Sequence, residues 1–156
     1  MSEEKVEKVG KNRRKSRELA LKGMYQRLLN GGTASEIGQS LSDDPDYARA
    51  DLGYFQSLLG GVIEHLAELD TALGGYLDRD VGALSPIEHG ILCIAAYELI
   101  HDATIPYRVV INEGVELAKR FGGTDGYKYV NGVLDKLAAG ARAAEVEKGS
   151  RHSTTH

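Results

Sequence analysis

Apolar residues recur every three or four positions along most of this chain, a spacing that is typical of amphipathic α-helices. The longest series lies in the middle of the sequence, closed by Gly74-Gly75, and comprises Leu52, Phe55, Leu59, Val62, Leu66, Leu69 and Leu73. Only three prolines occur in 156 residues, and the alternating β-branched residues typical of strands are almost absent. The sequence therefore predicts an all-α protein of six or seven helices in an orthogonal or bundled packing.

Glycines and capping residues mark where these helices begin and end. Gly31-Gly32 stops the first helix, and Ser85-Pro86-Ile87-Glu88 has the serine, proline and glutamate of a capping box. The helix that follows this box is apolar nearly all round, and we expect it to be the central core element. Besides the long middle run, helices are predicted over about 12–30, 35–41, 106–121 and 124–144, with a further one starting at Pro86.

Both ends of the chain are expected to lie outside the folded domain. Residues 1–10, MSEEKVEKVG, read as a disordered charged arm, and residues 145–156, ending in SRHSTTH, read as a disordered tail. The helical domain is thus expected over residues 11–144, which is long enough to bury a core.

Cysteine content and hydropathy indicate the compartment. The single cysteine, Cys93, excludes an internal disulfide framework and fits a reducing environment, where it reads as a small buried hydrophobe. No apolar run reaches the ~18 residues that a membrane span needs, and the N-terminus lacks the apolar stretch of a signal peptide. We expect a cytoplasmic protein with no membrane association.

Positive charge is concentrated in the first predicted helix, although the formal net charge of the chain is −4. Between Lys11 and Arg27, one acid, Glu18, faces seven basic residues: Lys11, Arg13, Arg14, Lys15, Arg17, Lys22 and Arg27. With the helix starting near Asn12, this cluster would oppose the helix dipole, which favours anions at that end. The arrangement predicts an anionic partner, with phosphate the obvious candidate. Conversely, residues 36–80 hold ten acids against two bases, a surface that suits a basic protein.

Residues arranged for catalysis or metal binding are scarce. Glu98 and His101 have the Glu-x-x-His spacing of di-iron bundles, but that chemistry needs a second copy, which the sequence lacks. His65 and His89 lie on predicted helices without neighbouring ligand spacing. No phosphate-cradling glycine loop or nucleophile arrangement is recognisable. We therefore predict no catalytic residue, no metal ligand and no cofactor, and a protein that is not an enzyme.

Three segments together resemble the NusB family of transcription antitermination factors. They are Ser85-Pro86-Ile87-Glu88 with Ile94-Ala95-Ala96-Tyr97-Glu98-Leu99, the run from Ile105 to Lys119 (IPYRVVINEGVELAK), and Tyr129 to Lys136 (YVNGVLDK). Arg13-Arg14-Lys15-Ser16-Arg17-Glu18, followed by Ala20 and Tyr25, fits the family's opening helix. The resemblance covers roughly residues 12–138 and is weakest between Gly31 and Tyr47.

The resemblance implies two packed helical sub-bundles. It also implies binding to single-stranded boxA RNA of ribosomal RNA leader transcripts, together with NusE, a ribosomal small-subunit protein, within the RNA polymerase antitermination complex. Carried over by position, partner contacts fall on Tyr25 and Glu88, and RNA contacts fall on Arg13, Arg14, Lys15, Arg17, Asp125, Lys128 and Tyr129. These residue types suit the role, since cations hold phosphates and aromatic rings stack on bases.

Two other functions remain open at this stage. The chain would be a protein-interaction module without its own RNA affinity if the acidic surface of residues 36–80 were its working part. Alternatively, it would be an accessory to a ribosomal RNA methyltransferase, since similar helical domains occur fused to such enzymes. A homodimer is a further alternative.

Overall fold

A computed structural model describes the backbone of residues 3–154 and the side chains of residues 12–149. Within the described part of the chain it is all-helical, without β-strands, as the sequence predicts. The predicted number of six or seven helices is too low, because eight α-helices are present between Glu3 and Thr154. The helices fall into two compact units, of which the first ends at Leu66 and the second begins at Ala67.

The first unit holds three helices: α1 (Glu3–Asn30), α2 (Ala34–Ser40) and α3 (Leu52–Glu64). Two short 3-10 turns, Leu41–Asp43 and Tyr47–Arg49, connect α2 to α3. Helix α1 ends where predicted, because Gly31 and Gly32 take positive φ angles of 74° and 105°, which favour glycine. The core of this unit is formed by apolar side chains from all three helices, among them Leu19, Met24, Ile37, Phe55, Leu59 and Val62.

The second unit holds the other five helices. It comprises α4 (Leu66–Gly74), α5 (Pro86–His101), α6 (Tyr107–Phe121), α7 (Gly126–Ala141) and α8 (Ala143–Thr154). Helix α5 is the predicted central element, since every residue from Gly90 to Ala96 is buried and α6 and α7 both pack on it. Gly114 on α6 allows this packing, because a Cβ there would lie 2.9 Å from Leu134 Cδ1.

Three predicted boundaries are wrong, two of them in the first half of the chain. The middle run of apolar residues forms two helices, because the backbone turns at His65 (φ −103°, ψ 14°), whose ring nitrogen Nδ1 lies 2.8 Å from the Gly61 carbonyl oxygen. Helix α1 begins at Glu3 rather than near Asn12, so it includes residues 3–10. Glutamate and lysine are good helix formers, and they extend a helix that is already nucleated.

The third wrong boundary lies near the C-terminus. The sequence predicts a last helix that runs to Ala144, but α7 ends at Ala141 and α8 occupies most of the predicted tail. Arg142, at the break, donates hydrogen bonds to the carbonyl oxygens of Glu98, Leu99, Asp102 and Ile105. This side chain therefore satisfies the carbonyls at the end of α5 and fixes the α7–α8 corner. Met1, Ser2, Thr155 and His156 lie outside the described residues.

No helix among the described residues is both long and apolar enough to cross a membrane.

Candidate nucleic-acid interface

The four basic residues predicted to bind RNA in the first unit, Arg13, Arg14, Lys15 and Arg17, lie in the middle of α1. We call them the basic segment of α1. Because the helix begins at Glu3, Arg13 lies well beyond the first turn, where the helix dipole has its effect. The predicted conflict between these cations and the dipole is therefore absent, and the first turn holds Glu3 and Glu4 instead.

Tyr54 on α3 holds two of these arginines. The Arg13 and Arg17 guanidinium carbons lie 4.6 and 5.3 Å from the centroid of its ring, and Arg17 Nη2 donates a hydrogen bond of 3.0 Å to its hydroxyl. Arg17 is only 4% exposed. Arg13 is half-buried, and its Nε has no hydrogen-bond partner among the described residues. Arg17 thus packs inside the first unit, whereas Arg14 is exposed.

Two lysines of α1, Lys15 and Lys22, form ion pairs with the acidic segment that precedes α3. Lys15 Nζ lies 3.1 Å from Glu18 and 3.5 Å from Asp46, and Lys22 Nζ lies 2.9 Å from Asp44 and 3.4 Å from Asp46. The hydrogen bond from Lys22 lowers the pKa of Asp44. Burial alone would lower the pKa of Lys22, but the two aspartates raise it. Part of the acidic stretch of residues 36–80 and part of the basic cluster of α1 therefore form ion pairs with each other.

A second group of residues meets in the second unit, where α5 and α7 begin. We call Arg79, Glu88, Asp125, Tyr127, Lys128 and Tyr129 the tip cluster. The Arg79 guanidinium lies over the Tyr129 ring, 4.5 Å from its centroid, and pairs with Asp78 at 2.7 Å. This pairing lowers the pKa of Asp78.

The Tyr129 side chain is half-buried, with its hydroxyl at the buried end. Its hydroxyl is buried and faces Asp78, yet it has no partner at ordinary hydrogen-bond geometry among the described residues. Burial, and then the neighbouring Asp78, raise the pKa of Tyr129. The hydroxyl therefore stays protonated near neutral pH and can donate a hydrogen bond.

Glu88 lies against the N-terminus of α7. The Ser85 hydroxyl accepts a hydrogen bond from the Glu88 backbone N–H at 3.2 Å, which confirms Ser85 as the N-cap of α5. Glu88 Oε1 lies 3.5 Å from the position that a Cβ would take on Gly126. A carboxylate is favoured beside a helix N-terminus, and the charge of Glu88 also acts on Arg79.

A second ring of the tip cluster, Tyr127, lies near two exposed lysines. Lys119 Nζ and Lys128 Nζ lie 5.2 and 6.0 Å from the centroid of Tyr127. Lys128 is exposed and lies 3.5 Å from Asp125, which is also exposed. An aromatic ring flanked by cations is the arrangement that holds a stacked base and its phosphate.

Tyr25, the remaining predicted contact, lies on α1 in the first unit. It is 41% exposed, and Leu29, one turn further along the helix, is 52% exposed. Two large apolar side chains on one exposed helix face are suited to a protein contact.

The structure thus groups the predicted site residues into sets. Arg13 and Arg17 meet on Tyr54, and Glu88 meets the Asp125–Tyr129 segment, while Tyr25 lies apart from Arg13–Arg17 along α1. Sequence reasoning missed Tyr54, Arg79 and Lys119. Arg79 had one detectable signal, being one of only two bases in the acidic stretch of residues 36–80, whereas Tyr54 and Lys119 depend on packing between helices.

Comparison with known proteins confirms the resemblance seen in the sequence. A family model for the NusB family matches residues 14–139. A transcription antitermination protein NusB from Methylobacillus flagellatus is 66% identical over 144 residues, covering 92% of this chain and 94% of that protein. The protein of the same name from Nitrosomonas eutropha is 55% identical over 138 residues, covering 88% of this chain and 83% of that protein.

Solved structures agree with this. The structure of T. maritima NusB is 29% identical, with a TM-score of 0.70, and the match covers 81% of this chain and 89% of that one. A crystal structure of the antitermination factors NusB and NusE in complex with dsRNA matches with a TM-score of 0.71 at 24% identity, over 83% of this chain and 97% of that one. At that identity the second match establishes the fold alone.

Proposed function

This chain belongs to the NusB family, and on that premise we propose that it is a transcription antitermination factor that binds single-stranded boxA RNA of ribosomal RNA leader transcripts together with NusE. The observation that carries the proposal is the family match over residues 14–139. It includes Arg14, Lys15, Arg17 and the whole tip cluster. The named relatives are transcription antitermination proteins and not enzymes.

RNA binding is assigned to two sets of residues with different roles. In the first unit, Arg14 and the half-buried Arg13 present positive charge, while Arg17 and Tyr54 hold that part of α1 in place. In the second unit, Lys128 and Lys119 bind phosphates, and the Tyr127 and Tyr129 rings offer faces for splayed bases. Asp125 lies beside Lys128 and is suited to accept a hydrogen bond from a base edge.

Protein contacts complete the proposed assembly. Tyr25 offers an exposed ring beside Leu29, and Glu88 offers a carboxylate next to the RNA-binding tip. Both suit a basic partner that binds RNA as well, which is the character of a ribosomal protein such as NusE. A crystal structure of related factors contains NusB, NusE and dsRNA. The proposal also includes a cytoplasmic location and a place in the RNA polymerase antitermination complex. It further includes the two helical sub-bundles of the family, which is consistent with the two compact units of this chain.

A filter-binding titration with boxA RNA, with and without NusE, tests this function. We expect salt-sensitive binding that NusE strengthens. Replacing both Arg13 and Arg14 by alanine should weaken binding, and the magnitude of the log–log salt slope should fall by about 0.7 for each phosphate that the variant no longer binds. A scrambled RNA of the same length measures the part of binding that is independent of sequence.

The same titration separates the alternatives. If NusE bound equally with and without RNA, and RNA never bound alone, the chain would be a protein-interaction module. Asp44 and Asp46 already form ion pairs with Lys22 of α1, so less of the acidic surface is available to a basic partner of such a module. Binding of S-adenosylmethionine by a complex of this chain with a partner would instead support the methyltransferase accessory role.

A further inference from the structure

Apart from the proposed RNA contacts, three side chains of different chemistry converge between α4 and α5. His89 Nε2 lies 2.6 Å from Asp70 Oδ1, and Cys93 Sγ lies 3.5 Å from the same oxygen. One ligand atom from each residue lies within 4.8 Å of the other two. His89 and Cys93 are four residues apart on α5, so they share a face of that helix, and Asp70 reaches them from α4.

These three groups form a donor set for a divalent transition metal. Thiolate, imidazole and carboxylate are the zinc ligands of proteins, and bonds of about 2.0–2.3 Å place neighbouring ligand atoms of a tetrahedral site roughly 3.3–3.8 Å apart. The sulfur–oxygen separation of 3.5 Å already meets this requirement. The nitrogen–oxygen separation has to widen by less than about 1 Å, which the Asp70 side chain, 30% exposed, has room to do.

We propose that Asp70, His89 and Cys93 bind one Zn²⁺ ion, with a water molecule as the fourth ligand. The site is open on one side, because Asp70 is partly exposed and His89 is 13% exposed, whereas Cys93 is buried. An ion can thus arrive from solvent at the carboxylate and then meet the sulfur and nitrogen ligands deeper in the protein. Bound there, zinc links α4 to the central helix of the second unit.

Zinc binding is balanced by the release of one proton. Without metal, burial and the charge of Asp70 raise the pKa of the Cys93 thiol far above its ordinary value, so the sulfur is protonated. The metal takes a lone pair from His89 Nε2, one from the Asp70 carboxylate and one from the Cys93 thiolate. The hydrogen through which Nε2 contacts Asp70 in the metal-free protein is exchanged through solvent to Nδ1, so the imidazole changes tautomer and adds no proton to those released. The thiol proton passes to solvent, and the ion supplies the positive charge that makes the buried thiolate acceptable.

Equilibrium dialysis of the full chain against Zn²⁺, with metal content measured by mass spectrometry, tests the site. We expect one zinc per chain, and affinity should fall by at least about tenfold in Cys93→Ser, His89→Gln and Asp70→Asn, since even groups behind the ligands are worth about 10–100-fold. Cobalt provides a direct signature, because a thiolate–cobalt charge-transfer band should appear in the wild type and be absent in Cys93→Ser.

Matched controls distinguish this site from adventitious binding. The C-terminal histidines are replaced together in His152→Gln/His156→Gln, which should keep one zinc and the cobalt band. Loss of zinc in this double variant, or equal zinc uptake by wild type and Cys93→Ser, would overturn the proposal. If Cys93→Ser fails to fold, the isosteric Asp70→Asn variant and the wild-type cobalt spectrum still decide, and a wild type without the charge-transfer band refutes the site.

Discussion

The basic segment of α1 and the tip cluster both combine cations with aromatic rings, but they use them differently. The Tyr54 ring of α3 contacts two arginines of α1, and its hydroxyl accepts a hydrogen bond from buried Arg17. In the tip cluster, the cations around Tyr127 are exposed lysines. The cations of α1, although they are the denser cluster in the sequence, therefore have the more structural role. Most of them form ion pairs or cation–π contacts with acids and aromatic rings of the first unit.

The largest effect on stability should come from removing Arg17, the buried cation of α1. Arg17→Ala should lower the free energy of unfolding by about 2–3 kcal/mol, because it removes a cation–π interaction and leaves the Tyr54 hydroxyl without its donor. Urea denaturation of this variant and of Arg14→Ala measures the difference. Arg14 is exposed, so its variant should stay within about 0.5 kcal/mol of the wild type. Equal stability of the two variants would show that α1 is not divided in this way.

Removing a ring from the tip cluster should affect RNA rather than stability. Tyr127→Ala is expected to weaken boxA binding by about 1–3 kcal/mol, the usual worth of one stacked base. Tyr127→Phe retains the ring face and should bind as the wild type does. Isothermal titration with the RNA compares the two. Similar effects in both variants would mean that the hydroxyl, and not stacking, is what matters.

The salt dependence of RNA binding distinguishes exposed from engaged lysines. Lys128→Ala should reduce the magnitude of the log–log salt slope by about 0.7, the value for one phosphate contact on a single strand. Lys22→Ala should leave the slope unchanged, because Lys22 is occupied by Asp44 and Asp46. Filter binding over a range of salt concentrations gives both slopes. A slope lowered equally by the two substitutions would contradict the assignment.

The smallest effect concerns acid. The hydrogen bond from Lys22 lowers the pKa of Asp44 in the folded state, so the pair stabilises the protein above the ordinary aspartate pKa of about 3.9. That contribution disappears as the pH falls through the lower folded-state pKa. Asp44→Asn should therefore cost about 0.2–1 kcal/mol at pH 7 and nothing once Asp44 is protonated. Urea denaturation of the wild type and of Asp44→Asn, at pH 7 and at a pH below the folded-state pKa of Asp44, measures this. A stability difference between the two proteins that persists at the acidic pH would show that the charge of Asp44 is not the cause.

Local signals predicted some features of the fold accurately. Ser85 and Pro86 start α5, and Gly31 and Gly32 end α1, because capping and positive φ angles depend on residues that are neighbours in sequence. The break at His65 and the separate helix α8 were missed. Neither carries a glycine or proline at the break itself, and the α7–α8 corner depends on Arg142 reaching carbonyls about 40 residues earlier in the chain.

By itself, the sequence determined the helical class, the central position of α5 and the NusB family, since periodicity and motifs are properties of short segments. Only the tertiary structure decided which cations are available. Whether Arg17 or Lys22 can meet a phosphate depends on Tyr54, Asp44 and Asp46, which lie more than 20 residues away in sequence. The same holds for Asp70, which the fold brings to His89 and Cys93. The sequence specifies which charged and metal-ligating residues are present, but which of them are buried and which residues they contact is decided only when the helices pack.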